Sequence, residues 1–430
     1  MRQRSELTTR AEPLTRDVLP ALAPYVRWLK TPLGSLGSAA VASALCGLFL
    51  HPQGFVVFFG LLVVMALGVA WPWVSLRGLS GSLKFDRTRG REGEPVTAWI
   101  TVRNRMPWGV WGVSIKGGFH QPGPDGGDEG PLSGLAFIPG RRTIERCVEF
   151  VPGCRGVYPV QPPRIACGFP FGLREASRPM EAAAPLLVWP RTVPVGPVPE
   201  AEGSHISDGL ATRDRAGNWG DPLGVRLYRR GDPLRRVHWG LSARHGELIV
   251  REVQSSAVPR VQIVLDSHAA AHTGPGPDGS REWAIRVVAS LAEGWIGQGA
   301  EVELVLEGAS IFPRGGSIKT RSRTVLDALA RFQPGGDRDL ADLTGDRQGR
   351  PRGGGLRVVV TTDVGLRRLS GEGRRRGGDR FVVLKACAFG PDEGGHPTAP
   401  WPVVPWIWID GPDRVATCLR RAGKEVSLGH

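Results

Sequence analysis

The stretch TPLGSLGSAAVASALCGLFLHPQGFVVFFGLLVVMALGVAWPWVSL, residues 31–76, decides how this chain is organised, because it contains no Asp, Glu, Lys or Arg. Two apolar segments, residues 31–50 and 55–76, flank the turn sequence HPQG. Each segment is close to the ~20 residues that cross a ~30 Å hydrocarbon layer as a helix. Trp71 and Trp73 lie near the end of the second segment, where amphipathic rings favour a membrane interface. The stretch therefore predicts a transmembrane helical hairpin.

The charges beside the hairpin predict its orientation. A turn as short as HPQG makes the two spans antiparallel, so both flanks lie on one side of the bilayer. Lys and Arg mark the cytoplasmic side. Both flanks carry them: Arg2, Arg4, Arg10, Arg16, Arg27, Lys30, Arg77, Lys84, Arg87, Arg89 and Arg91. We therefore expect a basic cytoplasmic tail over residues 1–30, two spans in the inner or plasma membrane, and both termini in the cytoplasm.

Two other interpretations of the hairpin are weaker. A secretory signal peptide fits poorly, because its apolar region is shorter and begins closer to the N-terminus. A buried core hairpin of a soluble protein remains the alternative.

The composition favours a β-rich body with a basic surface. Gly (60) and Pro (37) are abundant, which favours turns and loops. The net charge of +14 suits an anionic lipid surface, where each basic residue gains about 1 kcal/mol. Nucleic acid is a lesser alternative, because the basic residues form no stripe with interleaved aromatics. They crowd in one glycine-rich region: Arg367, Arg368, Arg374, Arg375, Arg376 and Arg380.

The chain after the hairpin divides into a β-rich part and an α/β part. Residues 77–196 contain short apolar runs bounded by Gly or Pro, which predict an antiparallel β-sandwich of immunoglobulin-like type. Residues 257–430 alternate apolar strand patterns with helical patterns, which predict a doubly wound parallel sheet. Its predicted strands are residues 260–266, 301–306, 356–361, 381–386 and 406–410, and its predicted helices are residues 281–295, 324–332 and 412–421.

Residues 197–256 connect these parts and contain the run GVRLYRRGDPLRRVHWGLSAR, residues 224–244. The sequence Gly231-Asp232-Pro233 is typical of a helix start, with Asp as N-cap and Pro at the first helical position. It predicts a short helix over residues 233–243. Arginines beside a tryptophan suit ion pairs and stacking. We interpret the segment as a structural latch between the two domains, with a partner-binding surface as the alternative.

This run resembles the central motif LRxYxxGDxxRxIxWxxSAR of the bacterial family known as domain of unknown function 58. The runs at residues 155–158, 169–173 and 187–190 are similar to that family's RGxY, PFGL and VxPR sequences. The resemblance implies a von Willebrand factor A-like α/β domain and a MoxR-type AAA ATPase as partner, together with other membrane proteins. It implies that the motif residues serve interaction: Tyr228, Gly231, Asp232, Arg236, His238, Trp239, Ser242, Ala243 and Arg244.

Two aspartates follow predicted strands of the parallel sheet. Asp266 and Asp363 lie where ligands bind in such sheets, and oxygen ligands suit Mg²⁺. A metal-ion-dependent adhesion site has the form Asp-x-Ser-x-Ser, but here His268 and Ala270 stand in place of both serines. We therefore predict no cofactor and keep Mg²⁺ as an alternative. The other readings are a softer metal site formed by Asp266, His268 and His272, and a structural Asp266 that caps a helix or binds backbone N–H groups.

The remaining motifs predict no enzyme. The sequence has no P-loop, GxSxG or HExxH run, and its six scattered cysteines form no CxxC pair that would indicate a zinc site. We predict a non-enzymatic, membrane-anchored scaffold that works with the ATPase in assembly or chaperone-like maturation. The alternatives are divalent-metal-dependent ligand binding at a degenerate adhesion site, binding of nucleic acid or anionic lipid through the arginine-rich loop, and, last, a hydrolase.

Overall fold

The computed structural model describes most of the chain after the basic tail. The described residues are 29, 31–119, 132–199, 222–229, 234, 237–253, 258–333, 335–336, 338–344, 355–369, 378–389 and 403–421. Predictions for the tail at residues 1–28, the motif residues Gly231, Asp232 and Arg236, and the middle of the arginine-rich loop lie outside them.

Two long apolar helices open the described chain: α1 (Pro32–Phe49) and α2 (Gln53–Arg77). The hydroxyl of Thr31 accepts a hydrogen bond from the Gly34 amide at 3.0 Å, so α1 begins with a side-chain cap. The two helices approach closely near the turn, since a Cβ on Gly54 would lie 2.4 Å from the backbone of Gly47. Their length and composition are compatible with a membrane anchor.

The β-rich part consists of eleven short strands in the described residues: β1 (Leu79–Phe85), β2 (Arg89–Arg91), β3 (Val96–Asn104), β4 (Val110–Lys116), β5 (Ser133–Ile138), β6 (Thr143–Phe150), β7 (Gly156–Tyr158), β8 (Arg164–Cys167), β9 (Ala176–Pro179), β10 (Glu181–Ala182) and β11 (Leu186–Trp189). Two four-stranded sheets, β10-β1-β3-β6 and β5-β4-β8-β9, enclose one hydrophobic core. The strand β3 alternates buried and less buried residues, the pattern of a sheet with one face in a core. A third sheet, β2-β11-β7, contacts the helix Ile318–Arg331 of the α/β part.

A small unit follows, in which the hairpin strands β12 (Pro222–Leu227) and β13 (Ile249–Val253) pair in antiparallel fashion around the short helix α3 (Trp239–His245). The helix predicted over residues 233–243 is found in part, over residues 239–243, and it continues to His245. Within the predicted range Val237 is not helical, because it forms a β-bridge with Val250. The helix begins only at Trp239, with His238 as its N-cap.

The α/β part contains a six-stranded sheet with helices on both faces. Its elements are β14 (Arg260–Leu265), α4 (Ser280–Gly297), β15 (Glu301–Leu306), β16 (Ala309–Ile311), α5 (Ile318–Arg331), α6 (Leu340–Thr344), β17 (Leu356–Thr362), α7 (Asp363–Arg368), β18 (Asp379–Leu384), β19 (Ile407–Ile409) and α8 (Val415–Arg421), with three 3-10 turns. The sheet order is β16-β15-β14-β17-β18-β19, and β16 alone among these strands runs antiparallel to its neighbour. Helix α5 begins at Ile318, earlier than the predicted residue 324, because Ser317 caps it.

The sandwich and the α/β part are joined by buried charges. Glu92, beside β2, accepts hydrogen bonds from the amides of Arg155 at 2.6 Å and Arg191 at 3.0 Å. The guanidinium of Arg286, on α4, donates to the same carboxylate at 2.8 Å. Arg155 in turn forms an ion pair with Glu282 and donates to the carbonyl of Leu329 at 2.9 Å. We call these groups the domain joint.

The periphery of the joint repeats this chemistry. Arg89 forms a two-pronged contact with Asp327 at 3.0 and 2.8 Å, and the indole of Trp189 donates to the same carboxylate at 2.7 Å. Arg91 pairs with Glu293. These contacts hold the pKa of the Glu293 and Asp327 carboxyls below their ordinary values, against the opposing effect of burial. The two domains are therefore fixed in one relative orientation.

Candidate functional site

The order of strands along the sheet reverses between β14 and β17, since β15 is added on one side of β14 and β17 on the other. Ligands of doubly wound sheets bind at the carboxyl ends of the strands at such a switch point. Asp266 follows β14 there and is buried. One of its carboxylate oxygens accepts a hydrogen bond from the Thr361 hydroxyl at 2.6 Å, and the other accepts from the His268 amide at 3.2 Å. Asp266 is therefore held by contacts within the chain, and its carboxylate ties β17 to the turn after β14.

Asp363 lies on the neighbouring strand end and is also buried. One of its carboxylate oxygens accepts a hydrogen bond from the Ala386 amide at 2.8 Å, which fixes the turn after β18. Thr362 caps α7 by accepting from the Gly365 amide at 3.1 Å. A Cβ on Gly365 would lie 2.4 Å from an Asp266 oxygen and 2.3 Å from the Thr361 hydroxyl, so the helix backbone packs directly on the aspartate.

The two histidines near this edge have structural contacts. The Nε2 of His272 lies 2.8 Å from the carbonyl of Asp266, and since a carbonyl can only accept, this nitrogen carries the proton. Burial lowers the pKa of His272 below its ordinary value, although the hydrogen bond to the Asp266 carbonyl opposes the shift. His268 accepts from the Ala270 amide at 3.1 Å and contacts Arg368.

The described residues at this edge give little support for a metal site. Within the part of the chain that the structure describes, no group of three His, Cys, Asp or Glu residues is placed to hold a metal ion. Asp266 and Asp363 do lie on adjacent strand ends, but each carboxylate accepts at least one hydrogen bond from the protein. The alternative of Mg²⁺ binding at these two aspartates is not tested by these contacts.

We call the described residues of 222–253 the motif unit. Unlike the sheet edge at Asp266 and Asp363, it exposes apolar side chains. Its interior holds Val237, Ile249 and Val250, and the buried Ser242 hydroxyl accepts from the Ile249 amide at 2.9 Å. His238 accepts from the Leu241 amide at 3.3 Å. The motif's Ser and His therefore stabilise the helix and hairpin of the unit.

The rest of the motif unit presents apolar side chains to solvent. Trp239, the motif tryptophan, is 64% exposed. Val225 and Leu227 are two residues apart on β12 and so lie on one face of the hairpin. The exposed apolar residues of the unit are Val225, Leu227, Leu234, Trp239 and Leu248. Among the other motif residues, Tyr228 is half-buried, and Ala243 and Arg244 are exposed.

The interpretation of the motif as a latch between domains stays a prediction, because several motif residues lie outside the described part of the chain. The described contacts that join the sandwich to the α/β part are those of the domain joint. Sequence reasoning missed Glu92, Glu282 and Arg286 in this role, although Arg155 belongs to the quoted RGxY run. A buried Arg in a β-rich domain needs a carboxylate partner, but nothing in the sequence pairs it with residues far along the chain.

The comparison with protein families gives one match. Residues 224–367 match the model described as "Protein of unknown function DUF58". The matched segment begins in the motif unit and ends just after Asp363, so it contains both features described above. The match supports membership of the chain in this family. No curated protein matches the sequence.

Three solved structures show weak likeness to the chain. A CARDB domain from Pyrococcus furiosus is 12% identical, with a TM-score of 0.16, and the match covers 26% of this chain and 94% of that domain. A Paenibacillus cycloisomaltooligosaccharide glucanotransferase is 12% identical (TM-score 0.16), with 71% of this chain and 49% of the enzyme covered. A Vibrio harveyi GH20 exo-β-N-acetylglucosaminidase is 9% identical (TM-score 0.17), with 69% and 60% covered. The chain thus spans about half to three fifths of the two enzymes, and these TM-scores support no conclusion on fold or activity.

Proposed function

We propose that this chain is a non-enzymatic, membrane-anchored scaffold of the DUF58 type, which presents its motif unit to a protein partner on the cytoplasmic side of the membrane. The resemblance of the motif implies the partner, a MoxR-type AAA ATPase, and a role in assembly or chaperone-like maturation. The chain supplies the anchor and the binding surface, and the partner supplies ATP hydrolysis.

The observation that carries the proposal is the exposed apolar surface of the motif unit. Exposed apolar side chains are unfavourable in water, and burying the tryptophan, leucines and valine of this unit in a protein interface would lower their free energy. Tryptophan and arginine are enriched among interface residues that dominate binding, and Trp239 and Arg244 lie on the same short helix.

The architecture supports the finer parts of the proposal. Numbered along the chain, the strands of the α/β sheet have the order 3-2-1-4-5-6, with the third strand antiparallel, which is compatible with a von Willebrand factor A-like domain. The two-sheet sandwich is compatible with an immunoglobulin-like type. Basic residues on both flanks of the helical hairpin favour a cytoplasmic body and two spans in the inner or plasma membrane.

Copurification of the full chain, solubilised in detergent, with a MoxR-type ATPase in the presence of ATP tests the proposal. We expect a complex with the unaltered chain and at least a tenfold loss of affinity for the double variant Leu227→Ser, Trp239→Ser. The matched control is Trp99→Ser, which removes an equally large side chain, 46% exposed, from the sandwich. The proposal is wrong if no complex forms, or if the control weakens binding as much as the double variant.

A further inference from the structure

The last turns of helix α2 lie on the outside of the sandwich. The buried residues of this helix are Gly68, Pro72, Ser75 and Leu76, a spacing that puts them on one face. That face contacts β8 and β9. Ala166 of β8 confirms the arrangement: its neighbours Ile165 and Cys167 point into the sandwich core, so Ala166 points outward, yet it is buried. The helix therefore covers part of the outer face of this sheet.

The turn between β8 and β9 runs along α2 towards the helix N-terminus. At the base of β9, the guanidinium of Arg178 donates to the carbonyls of Arg77 at 3.0 Å and Leu79 at 3.2 Å. At the tip, a Cβ on Gly68 would lie 2.5 Å from the side chain of Leu173 and 3.3 Å from that of Phe171. The helical rise of 1.5 Å per residue puts Gly68 about 13 Å from Arg77 along the axis.

This distance places the tip at the depth of lipid. Helix α2 has 25 residues and is about 37 Å long, whereas the hydrocarbon layer is about 30 Å thick. If α2 spans the bilayer, about 7 Å of it lies outside the hydrocarbon. Gly68, about 13 Å from the end of the helix, then lies within it, and the side chains that touch Gly68 lie at the same depth.

The composition of the turn fits this depth. Residues 168–173 read GFPFGL and carry no charge, and the charged Arg174 and Glu175 follow at once. Phe171 at the tip is 50% exposed. Aromatic side chains continue from the turn across the uncovered half of the sheet. The ring of Trp111 lies 6.5 Å from that of Phe169 and 4.2 Å from that of Phe137, and all three are partly exposed.

We propose that this aromatic patch, formed by Trp111, Phe137, Phe169 and Phe171, enters the same leaflet through which α2 leaves the bilayer. Its partner is lipid, with the phenylalanines among the acyl chains and the tryptophan near the headgroups, where such rings favour the interface. The patch is continuous with the apolar surface of α2, which argues for lipid over a second protein. The inference rests on the anchor role proposed for the hairpin.

The test measures depth in reconstituted vesicles with the full chain. Cys46 and Cys147, the exposed cysteines, are replaced by Ser, and single cysteines are introduced by Phe171→Cys, Trp99→Cys or Leu62→Cys for labelling with a fluorophore. Lipid-borne doxyl groups and aqueous iodide serve as the two quenchers. We expect lipid quenching at positions 171 and 62, and iodide quenching at position 99, an exposed aromatic site on the opposite sheet.

The three labels separate the possible failures. If position 62, on a lipid-facing site of α2, is quenched by iodide, the anchor itself is wrong and the inference fails with it. If position 62 reports lipid but position 171 is quenched by iodide as strongly as position 99, the anchor stands and the inference is overturned. A label at position 171 protected from both quenchers would place protein, from a partner or a second copy, on the patch, and this also overturns it.

Discussion

The domain joint and the motif unit both contain arginines, but the joint buries them against carboxylates and the motif unit exposes them to solvent. In the joint, arginines and carboxylates are buried and meet one another, so that Glu92 alone receives hydrogen bonds from two amides and a guanidinium. In the motif unit, arginine and apolar side chains face solvent, as Trp239 and Arg244 do. The difference indicates that the joint holds the sandwich and the α/β part together, whereas the exposed side chains of the motif unit are the basis of the proposed partner surface.

Removing Glu92 should have the largest effect, because it attacks the joint directly. Glu92→Ala leaves the buried guanidinium of Arg286 without its carboxylate, and breaking a buried ion pair costs about 3–5 kcal/mol. Denaturant unfolding of the full chain in detergent measures the loss. Glu301→Ala is the control, since its pair with Arg260 is more exposed and should cost less than about 1 kcal/mol. Equal losses in the two variants would contradict a special role for the joint.

A methyl group at Gly365 should have a smaller effect, because it perturbs the packed sheet edge. Gly365→Ala forces a carbon against the Asp266 carboxylate and the Thr361 hydroxyl, and such overpacking costs about 1–3 kcal/mol. Thermal unfolding monitors the change. Gly297→Ala on α4, where a Cβ would meet nothing within 4 Å, is the matched control and should be neutral or stabilising. A neutral Gly365→Ala would show that the edge is open enough for a ligand.

The buried His272 should make stability fall in acid. Its folded pKa is lowered by burial, so the unfolded chain binds the proton more tightly and stability rises with pH. The contribution of this ring is complete above the unfolded pKa of about 6.5 and is lost as the pH falls through that value, with a slope of at most about 1.4 kcal/mol per pH unit. Unfolding measured from pH 8 to pH 5 checks this. In His272→Gln the slope over this range should flatten, and an unchanged slope would refute the assignment.

Changes to exposed side chains of the motif unit should have the smallest effect on stability. Trp239→Ser removes an exposed side chain, and surface changes of this kind usually alter the free energy of unfolding by less than about 0.5 kcal/mol. Ser242→Ala, in contrast, removes the buried hydroxyl that accepts from the Ile249 amide and should cost about 1–3 kcal/mol. Unfolding of the two variants in parallel distinguishes them. If Trp239→Ser were the more damaging, the tryptophan would be part of the fold and not of a binding surface.

Regular patterns in the sequence predicted the elements well where local signals agreed with packing. The apolar runs at residues 260–265 and 356–361 are parallel strands in the structure, and the uncharged run at residues 31–76 forms two helices. The motif helix begins at Trp239, later than predicted, and the pairing of Val237 with Val250 is a contact between distant residues that no local pattern signals. The joint could not be predicted, since Glu92 and Arg286 lie far apart in the sequence and nothing local links them.

The single residue between α2 and the sandwich has a mechanical consequence. Helix α2 ends at Arg77 and β1 begins at Leu79, so only Gly78 separates the apolar helix from the first strand. No flexible linker lies between them, and the Arg178 guanidinium donates a hydrogen bond to the Arg77 carbonyl at the helix end. The sandwich therefore cannot rotate freely about α2. If the two helices span a bilayer, the sandwich and the α/β part bound to it through the domain joint would therefore be held at a constant height and angle above the lipid.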